Sequence, residues 1–165
     1  MTNVTTDHRE MTAAAGQLMN DYFFGLDARD FVAATACFTD TVECSYGGVA
    51  LPPGRVALIN YLHGALDGAG STRHFSTSSG QVQSADGVRV RTHAIAYVVG
   101  GVDNADEVQV RGITYDDELV QTSEGWLVAR RAHNVEWTSA AHAVFVNPGE
   151  DALVRAGTRG GGQPQ

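Results

Sequence analysis

The stretch Ser71–Ser79, with the sequence STRHFSTSS, marks the point at which the pattern of this chain changes. Before it, apolar residues recur at helical spacing; after it, the pattern has the period of two that is typical of β-strands. The stretch follows a helical segment that ends at Gly68 and Gly70, and it carries a single histidine, His74. Helices first and a series of strands afterwards predict an α+β fold.

Four strands are expected from this stretch onward, joined by short segments of turn-forming residues. They lie at about 71–83, 88–99, 107–120 and 126–137. Short connections imply antiparallel neighbours, so we expect a strongly curved, mostly antiparallel sheet. The predicted architecture is a cone-shaped α+β barrel in which this sheet closes over a helical layer.

Three helices and one strand are expected before the stretch. They are indicated by an apolar stripe in the first helix, by capping residues, and by the pair Pro52-Pro53 at the start of the third helix. The helices lie at about 7–25, 27–38 and 54–66, and the strand lies at 41–46. These N-terminal helices are expected to pack on the curved sheet.

The composition limits the possible functions. The 165 residues suit one domain, expected at 1–145, with a small, polar, glycine-rich tail at 146–165 that is expected to be mobile. The formal charge of −8 disfavours nucleic-acid binding, because an acidic surface repels phosphates. No apolar run is long enough to cross a membrane and the N-terminus lacks an export signal, so a cytoplasmic protein is expected. Cys37 and Cys44 follow no metal or redox spacing and are expected to be buried thiols.

Three motifs connect the chain to a known family: YFFGLDARDF at 22–31, TRHF at 72–75 and EGWLVARR at 124–131. With these motifs and this order of elements, residues 10–137 resemble the SnoaL-like branch of the nuclear-transport-factor-2-like superfamily. Its members include scytalone dehydratase, bile-acid 7α-dehydratase, ketosteroid isomerase, limonene epoxide hydrolase and polyketide cyclases. Non-catalytic subunits and transport factors share the same fold.

The resemblance implies roles for individual residues. The dehydratases carry an Asp at the first helix junction and a His on the strand after the third helix, and Asp27 and His74 fall at these places. Tyr22 lies five residues before Asp27, like a catalytic Tyr of the bile-acid enzyme. Tyr46 matches a water-holding Tyr of scytalone dehydratase, and Arg131 lies near the position of an Arg in the bile-acid enzyme.

The chain also departs from these relatives. The positions that carry a second catalytic His or Asp in the dehydratases hold Val99 and Tyr97 here, and His93 lies earlier on the same strand. These departures leave open a reaction different from both dehydrations. His93 and Tyr97 share one face of their strand, but the other face is small and apolar and is an equally good core. His93 is thus either a pocket residue or a residue of the surface or of a dimer face.

Each catalytic candidate also has a purely structural interpretation. His74 would serve as a core histidine bonded to a backbone carbonyl, or as a general base whose ring is oriented by Asp27. Asp27 would serve equally as the N-cap of the second helix, with Asp30 as the second candidate carboxylate, expected to be solvated. Tyr22 and Tyr46 are either core aromatics or hydrogen-bond donors to a substrate oxygen.

The last two strands supply further candidates. Tyr115 alternates with Asp117, although Asp116–Glu118 is expected first as a solvated acidic run. Arg130 and Arg131 point opposite ways in a regular strand, and Arg131 is expected inside, paired with a carboxylate or an anionic substrate, with His133 beside it. Regular alternation would place these residues on one side: Leu127, Ala129, Arg131, His133, Val135 and Trp137.

The resemblance implies a cofactor-independent lyase, isomerase or cyclase that acts on a hydrophobic small molecule of polyketide, terpenoid or steroid type. His74, Asp27 and Tyr22 would be catalytic. The expected substrate-binding residues are Phe23, Tyr46, His93, Tyr97, Tyr115, Arg131 and His133. No metal is expected, because the histidines follow no metal motif and the resembling enzymes need none. A homodimer through the open face of the sheet is expected.

Two alternatives remain at this point. One is a pericyclic or aldol cyclase that works by the shape of its pocket near Phe23, Phe75 and Ile95, so that polar substitutions matter little. The other is a non-catalytic ligand-binding or accessory subunit, in which His74 and Asp27 are structural.

Overall fold

The computed structural model describes residues 8–84, 87–101 and 107–142. The predicted tail at 146–165 lies outside these residues, as do parts of the expected turns. Among the described residues, no helix is both long enough and apolar enough to span a membrane.

The first two helices, α1 (His8–Ala28) and α2 (Phe31–Thr35), meet at a sharp junction, and α3 (Arg55–Leu66) follows later. Asp30 caps α2, because the amide of Ala33 donates to Oδ1 of Asp30 at 2.9 Å. Asp27 lies in the last turn of α1, which extends beyond its predicted end. Its carboxylate is therefore not used as a helix cap.

The predicted strands are present, together with a two-residue strand that was not predicted. The strands are β1 (Phe38–Tyr46), β2 (Val49–Ala50), β3 (Ala69–Ser84), β4 (Gly87–Gly101), β5 (Glu107–Thr122) and β6 (Gly125–His142). They form one sheet in the order β2-β1-β6-β5-β4-β3, in which only β1 and β6 are parallel neighbours. The predicted α+β fold is confirmed, and the sheet remains unclosed.

The inner face of the sheet and one side of α1 form the core. Buried residues alternate along β4, and along β5 from Tyr115 to Leu119, as a half-buried sheet requires. The buried side of α1 is formed by Met11, Ala15, Met19, Tyr22, Phe23 and Leu26, which recur at helical spacing. On β4 the inner face is the small, apolar one.

Two bulges interrupt the alternation of β6. The pairs Glu118–Arg130 and Leu119–Val128 leave Ala129 without a partner, and the pairs Gly112–Trp137 and Ile113–Val135 leave Glu136 without one. Each extra residue changes which way the following side chains point. The expectation that Leu127, Ala129 and Trp137 share a side with Arg131 is therefore corrected: Val128 is the buried residue, and Trp137 lies over Gly112 on the outer face.

The cysteines agree with the expectation from sequence. Cys37 and Cys44 are buried free thiols. Burial raises the pKa of Cys37 to about 12 and that of Cys44 to about 11. Both thiols are therefore protonated and inert at neutral pH.

Candidate active site

Asp27 and His74 meet where the end of α1 packs on β3. Nδ1 of His74 lies 2.7 Å from Oδ1 of Asp27, and the backbone amide of His74 donates to Oδ2 at 3.0 Å. Their side chains are 8% and 17% exposed for His74 and Asp27, respectively. The pair that was expected from the sequence is thus formed, largely out of water.

The chemistry of the partner determines the tautomer of His74. An ionised carboxylate can only accept hydrogen bonds, so the neutral imidazole carries its proton on Nδ1 and leaves Nε2 as a basic nitrogen. Burial lowers the pKa of His74, and the charges of Arg29 and Arg111 lower it further, while Asp27 opposes them. The ring is therefore neutral at pH 7 and able to accept a proton.

A group of packed rings begins at the imidazole of His74. Phe23 stacks on His74 with ring centroids 5.3 Å apart, and Tyr115 packs against Phe23 at 5.7 Å. His133 lies against Tyr46 at 4.6 Å and against Tyr115 at 5.1 Å. Four of the predicted substrate-binding residues thus share one aromatic interior.

Two tyrosine hydroxyls form a polar point within this interior. The hydroxyls of Tyr22 and Tyr46 lie 2.9 Å apart, and burial raises the pKa of Tyr22 to about 12. Burial also raises the pKa of Tyr46 well above its ordinary value. Both hydroxyls therefore keep their protons at neutral pH, and one of them is free to donate to a further oxygen.

Arg131, rather than Arg130, points inward, as expected. Its Nε and Nη2 atoms bind the carboxylate of Asp117 at 2.7 and 2.6 Å, and these side chains are 1% and 5% exposed. Arg130 instead pairs with Glu43 and Glu118 at the surface. The expectation of a solvated acidic run is corrected for Asp117, because alternation on β5 turns it toward the core.

His133 is a second, partly buried imidazole on the inner face. Burial, together with the charge of Arg131, lowers its pKa to about 4. Its Nδ1 atom has no hydrogen-bond partner within the part of the chain that the structure describes. The ring is neutral under ordinary conditions and has an unused polar atom.

His93 and Tyr97 lie on the other side of the sheet. His93 is exposed and approaches Thr114 with Nδ1 at 3.1 Å from Oγ1, while Tyr97 is 37% exposed and packs beside Phe75. The expectation that they line the same interior as His74 is corrected, because β4 turns its small residues inward.

In the described ranges 8–84, 87–101 and 107–142, no three His, Cys, Asp or Glu side chains are grouped to hold a metal.

A large trough lies on the outer face of the sheet, away from the Asp27–His74 pair. Its volume is about 1100 Å³, and neither of these two residues lines it. The side chains of the outer face that line it include Arg89, Arg91, His93, Asp116, Glu118 and Arg130. The size of the trough alone would favour a site here. However, its arginines are already paired with its carboxylates. The largely buried Asp27–His74 pair lies on the opposite face of the sheet.

The sequence interpretation missed several polar residues near the pair. Thr72 donates from Oγ1 to Oδ1 of Asp27 at 2.8 Å, and Arg29 donates from Nη1 to Oγ1 of Thr72 at 2.8 Å. Thr72 lies two residues before His74, so alternation on β3 was the signal for it. Arg111 had no such signal, although its charge acts on both His74 and His133.

Comparison with solved structures shows the same fold in proteins of distant sequence. A candidate scytalone dehydratase from Novosphingobium aromaticivorans is 23% identical, with a TM-score of 0.69 over 84% of this chain and 92% of that one. The hexachlorocyclohexane dehydrochlorinase LinA-type3 from Novosphingobium barchaimii is 17% identical, with a TM-score of 0.73 over 86% and 98%. ActVI-ORFA from Streptomyces coelicolor is 20% identical, with a TM-score of 0.66 over 76% and 97%. At these identities the likeness establishes the fold alone.

The comparison with proteins of curated function found no match. The sequence model of the SnoaL-like domain matches residues 7–132, which include Asp27 of α1, His74 of β3 and Arg131 of β6. The resemblance seen in the three motifs is thereby confirmed. The chain belongs to the SnoaL-like domain family.

Proposed function

We propose that this chain is a cofactor-independent lyase, isomerase or cyclase that acts by acid–base catalysis on a hydrophobic small molecule of polyketide, terpenoid or steroid type. The observation that carries the proposal is the contact between Asp27 and His74, 2.7 Å long and largely buried. It combines a neutral base with a carboxylate that stabilises the base once it is protonated.

In the proposed mechanism, Nε2 of His74 removes a proton from a carbon next to a carbonyl group. Asp27 stabilises the resulting imidazolium, and the electrons move onto the carbonyl oxygen to form an enolate. The imidazolium then returns its proton to a leaving hydroxyl, to give a dehydration, or to another carbon, to give an isomerisation. Such a general base contributes about 10²–10⁴-fold in rate.

The developing negative charge has candidate donors in the same interior. Tyr22 and Tyr46 remain protonated, and Nη1 of Arg131 has no hydrogen-bond partner among the described residues. Donors that are already oriented in a water-poor site stabilise an oxyanion strongly. The aromatic walls favour a substrate with an extended apolar or aromatic body.

The names of the structural neighbours support the same class of chemistry. A dehydratase eliminates water and a dehydrochlorinase eliminates hydrogen chloride. Both eliminations require the removal of a proton from carbon, which is the step assigned to His74. The proposal therefore extends to elimination of a leaving group other than hydroxide.

The test uses a model substrate, 3-hydroxy-1-tetralone, a bicyclic aromatic β-hydroxyketone. Wild-type protein in D₂O is expected to exchange the proton next to the carbonyl or to dehydrate the ketone, as observed by NMR. His74→Asn is expected to lower the rate by about 10²–10⁴-fold with the fold retained. Equal rates for the variant and the wild type would exclude the mechanism.

A second candidate function is ligand binding without catalysis. It is favoured by the packing of His74 on Phe23 and by the position of the large trough on the opposite face. It predicts that Asp27→Asn lowers the pKa of His74, because Asp27 raises that pKa in the wild type, but that neither the wild type nor the variant turns over the ketone. Turnover by the wild type that falls in Asp27→Asn would favour the catalytic function.

We further propose that the outer face of the sheet joins two copies of the chain. Phe75, Tyr97 and Trp137 are exposed there together, and arginines alternate with carboxylates in the neighbouring rows. A face that carries both signs of charge suits a two-fold contact with itself. Trp137→Glu should convert a dimer to a monomer in sedimentation equilibrium, whereas Phe24→Glu, at an exposed position of α1, should not.

A further inference from the structure

Arg29 connects the end of α1 to the beginning of β3. Its backbone has a φ of 60°, a conformation that residues other than glycine adopt uncommonly. Its guanidinium donates to the carbonyl oxygens of Leu26 at 3.0 Å and Gly70 at 2.7 Å, and to Oγ1 of Thr72 at 2.8 Å. One side chain thus joins both elements that supply the Asp27–His74 pair.

Hydrogen bonds run in series from Arg29 through Thr72 and Asp27 to His74, and the direction of each follows from the one before it. A guanidinium can only donate, so the hydroxyl oxygen of Thr72 accepts from Arg29 and gives its own proton to Asp27 at 2.8 Å. Asp27 can only accept, so the proton between it and His74 belongs to Nδ1. Nε2 of His74 therefore carries no proton in the neutral ring and is free to accept one.

We propose that Arg29 and Thr72 are positioning residues for this pair: Arg29 orients the Thr72 hydroxyl, and the hydroxyl, by donating to Asp27, fixes the carboxylate beside the His74 ring and partly neutralises its charge. The catalytic meaning of this arrangement rests on the proposed function, but the arrangement itself is measurable without turnover.

Electrostatics gives Arg29 a second effect on the same ring. The charged groups that act on His74 are Asp27 of α1, Arg29 after α1, Arg111 of β5 and, when protonated, His133 of β6. Arg29 and Arg111 lower the pKa of His74, and Asp27 raises it. Removal of Arg29 takes away one cation, and removal of the Thr72 hydroxyl lets the carboxylate charge act more fully on the ring. Both changes therefore raise the pKa of His74.

The structure offers variants that separate positioning from folding. Thr72→Val keeps the shape of this fully buried side chain and removes only the hydroxyl, while Thr72→Ser restores the hydroxyl. Arg29→Asn removes the guanidinium but retains a residue that tolerates a positive φ. Thr92→Val is the matched control, because Thr92 is also buried, and its hydroxyl binds Ser79 rather than Asp27.

The experiment is a ¹⁵N-NMR titration of the histidine rings in the full chain, between pH 4 and pH 8. Thr72→Val and Arg29→Asn are expected to raise the pKa of His74 by about 0.5–1, and Thr72→Ser and Thr92→Val are expected to titrate like the wild type. In the neutral wild type, the Nδ1–H tautomer is expected to dominate by about tenfold or more.

Three results would overturn the proposal: an unchanged titration in folded Thr72→Val, an equal change in Thr92→Val, or no titration of His74 in any variant. Failure of the proposed function has a different signature. In that case the titrations follow the expected order, while the wild type neither exchanges nor dehydrates the model ketone.

Discussion

The buried pair of Arg131 and Asp117 shows how a charge is tolerated in this interior. Removing an ion from water costs several kcal/mol, which only close, well-directed partners offset. Two guanidinium nitrogens bind the carboxylate, and the guanidinium carbon lies 4.4 Å from the ring centre of Tyr22 and 4.7 Å from that of Phe38. Loss of either partner would leave the other charge buried without compensation.

Asp117→Ala is therefore expected to lower the free energy of unfolding by about 3–5 kcal/mol. The matched control is its neighbour, because Asp116 makes an exposed ion pair with Arg91. Asp116→Ala is expected to lose no more than about 1 kcal/mol. Urea denaturation of both variants measures the difference, and equal losses would show that the inner pair does not stabilise the fold.

At the scale of elements, the junction of α1 and α2 depends on a close approach of two backbones. A Cβ atom added at Gly25 would lie 2.5 Å from Cα of Ala34, which is closer than side chains normally approach. Glycine therefore lets α2 fold back onto the last turn of α1. That contact helps to place Asp27 beside β3.

Gly25→Ala is expected to destabilise the protein by about 1–3 kcal/mol, because the helices must move apart. Gly16→Ala is the control on the same helix, where an added Cβ meets nothing within 4 Å. That substitution should stabilise the protein by about 0.5–1 kcal/mol, since alanine is the better helix former. Thermal denaturation tests the opposite signs, and a loss of stability in both variants would contradict the explanation by close approach.

At the scale of the whole molecule, the buried histidines make stability depend on pH. Burial lowers the pKa of His133 to about 4 and also lowers that of His74, whereas an unfolded histidine has a pKa near 6.5. Between these values the unfolded chain binds protons that the folded chain does not. Stability therefore rises with pH in this range and falls on acidification.

His133 alone is expected to remove up to about 3 kcal/mol of stability between pH 6.5 and pH 4. His133→Phe keeps an aromatic ring against Tyr46 and has no titrating group, so its stability should fall less over the same range. Chemical denaturation at several pH values measures the two slopes. Parallel slopes would mean that His133 is not held neutral in the folded state.

The order of helices and strands was predictable from local patterns, because hydrophobic periodicity and turn-forming residues are properties of short segments of sequence. The position of His74 on β3, the inward direction of Arg131 and the burial of both cysteines also followed from the sequence and the family resemblance. Which side chains of β6 point inward could not be predicted from the sequence. A single bulged residue reverses the alternation and leaves no recognisable signal in the residue pattern.

By itself, the sequence determined the order of the elements, the α+β class and the presence of a carboxylate near the end of α1 and a histidine near the start of β3. Only the tertiary structure decided which carboxylate bonds to the imidazole, that Asp117 rather than solvent pairs with Arg131, and that His93 lies outside. The physical reason is that secondary structure depends on neighbours along the chain. Ionic partners are chosen by distances between segments that meet only when the sheet curves around the helices.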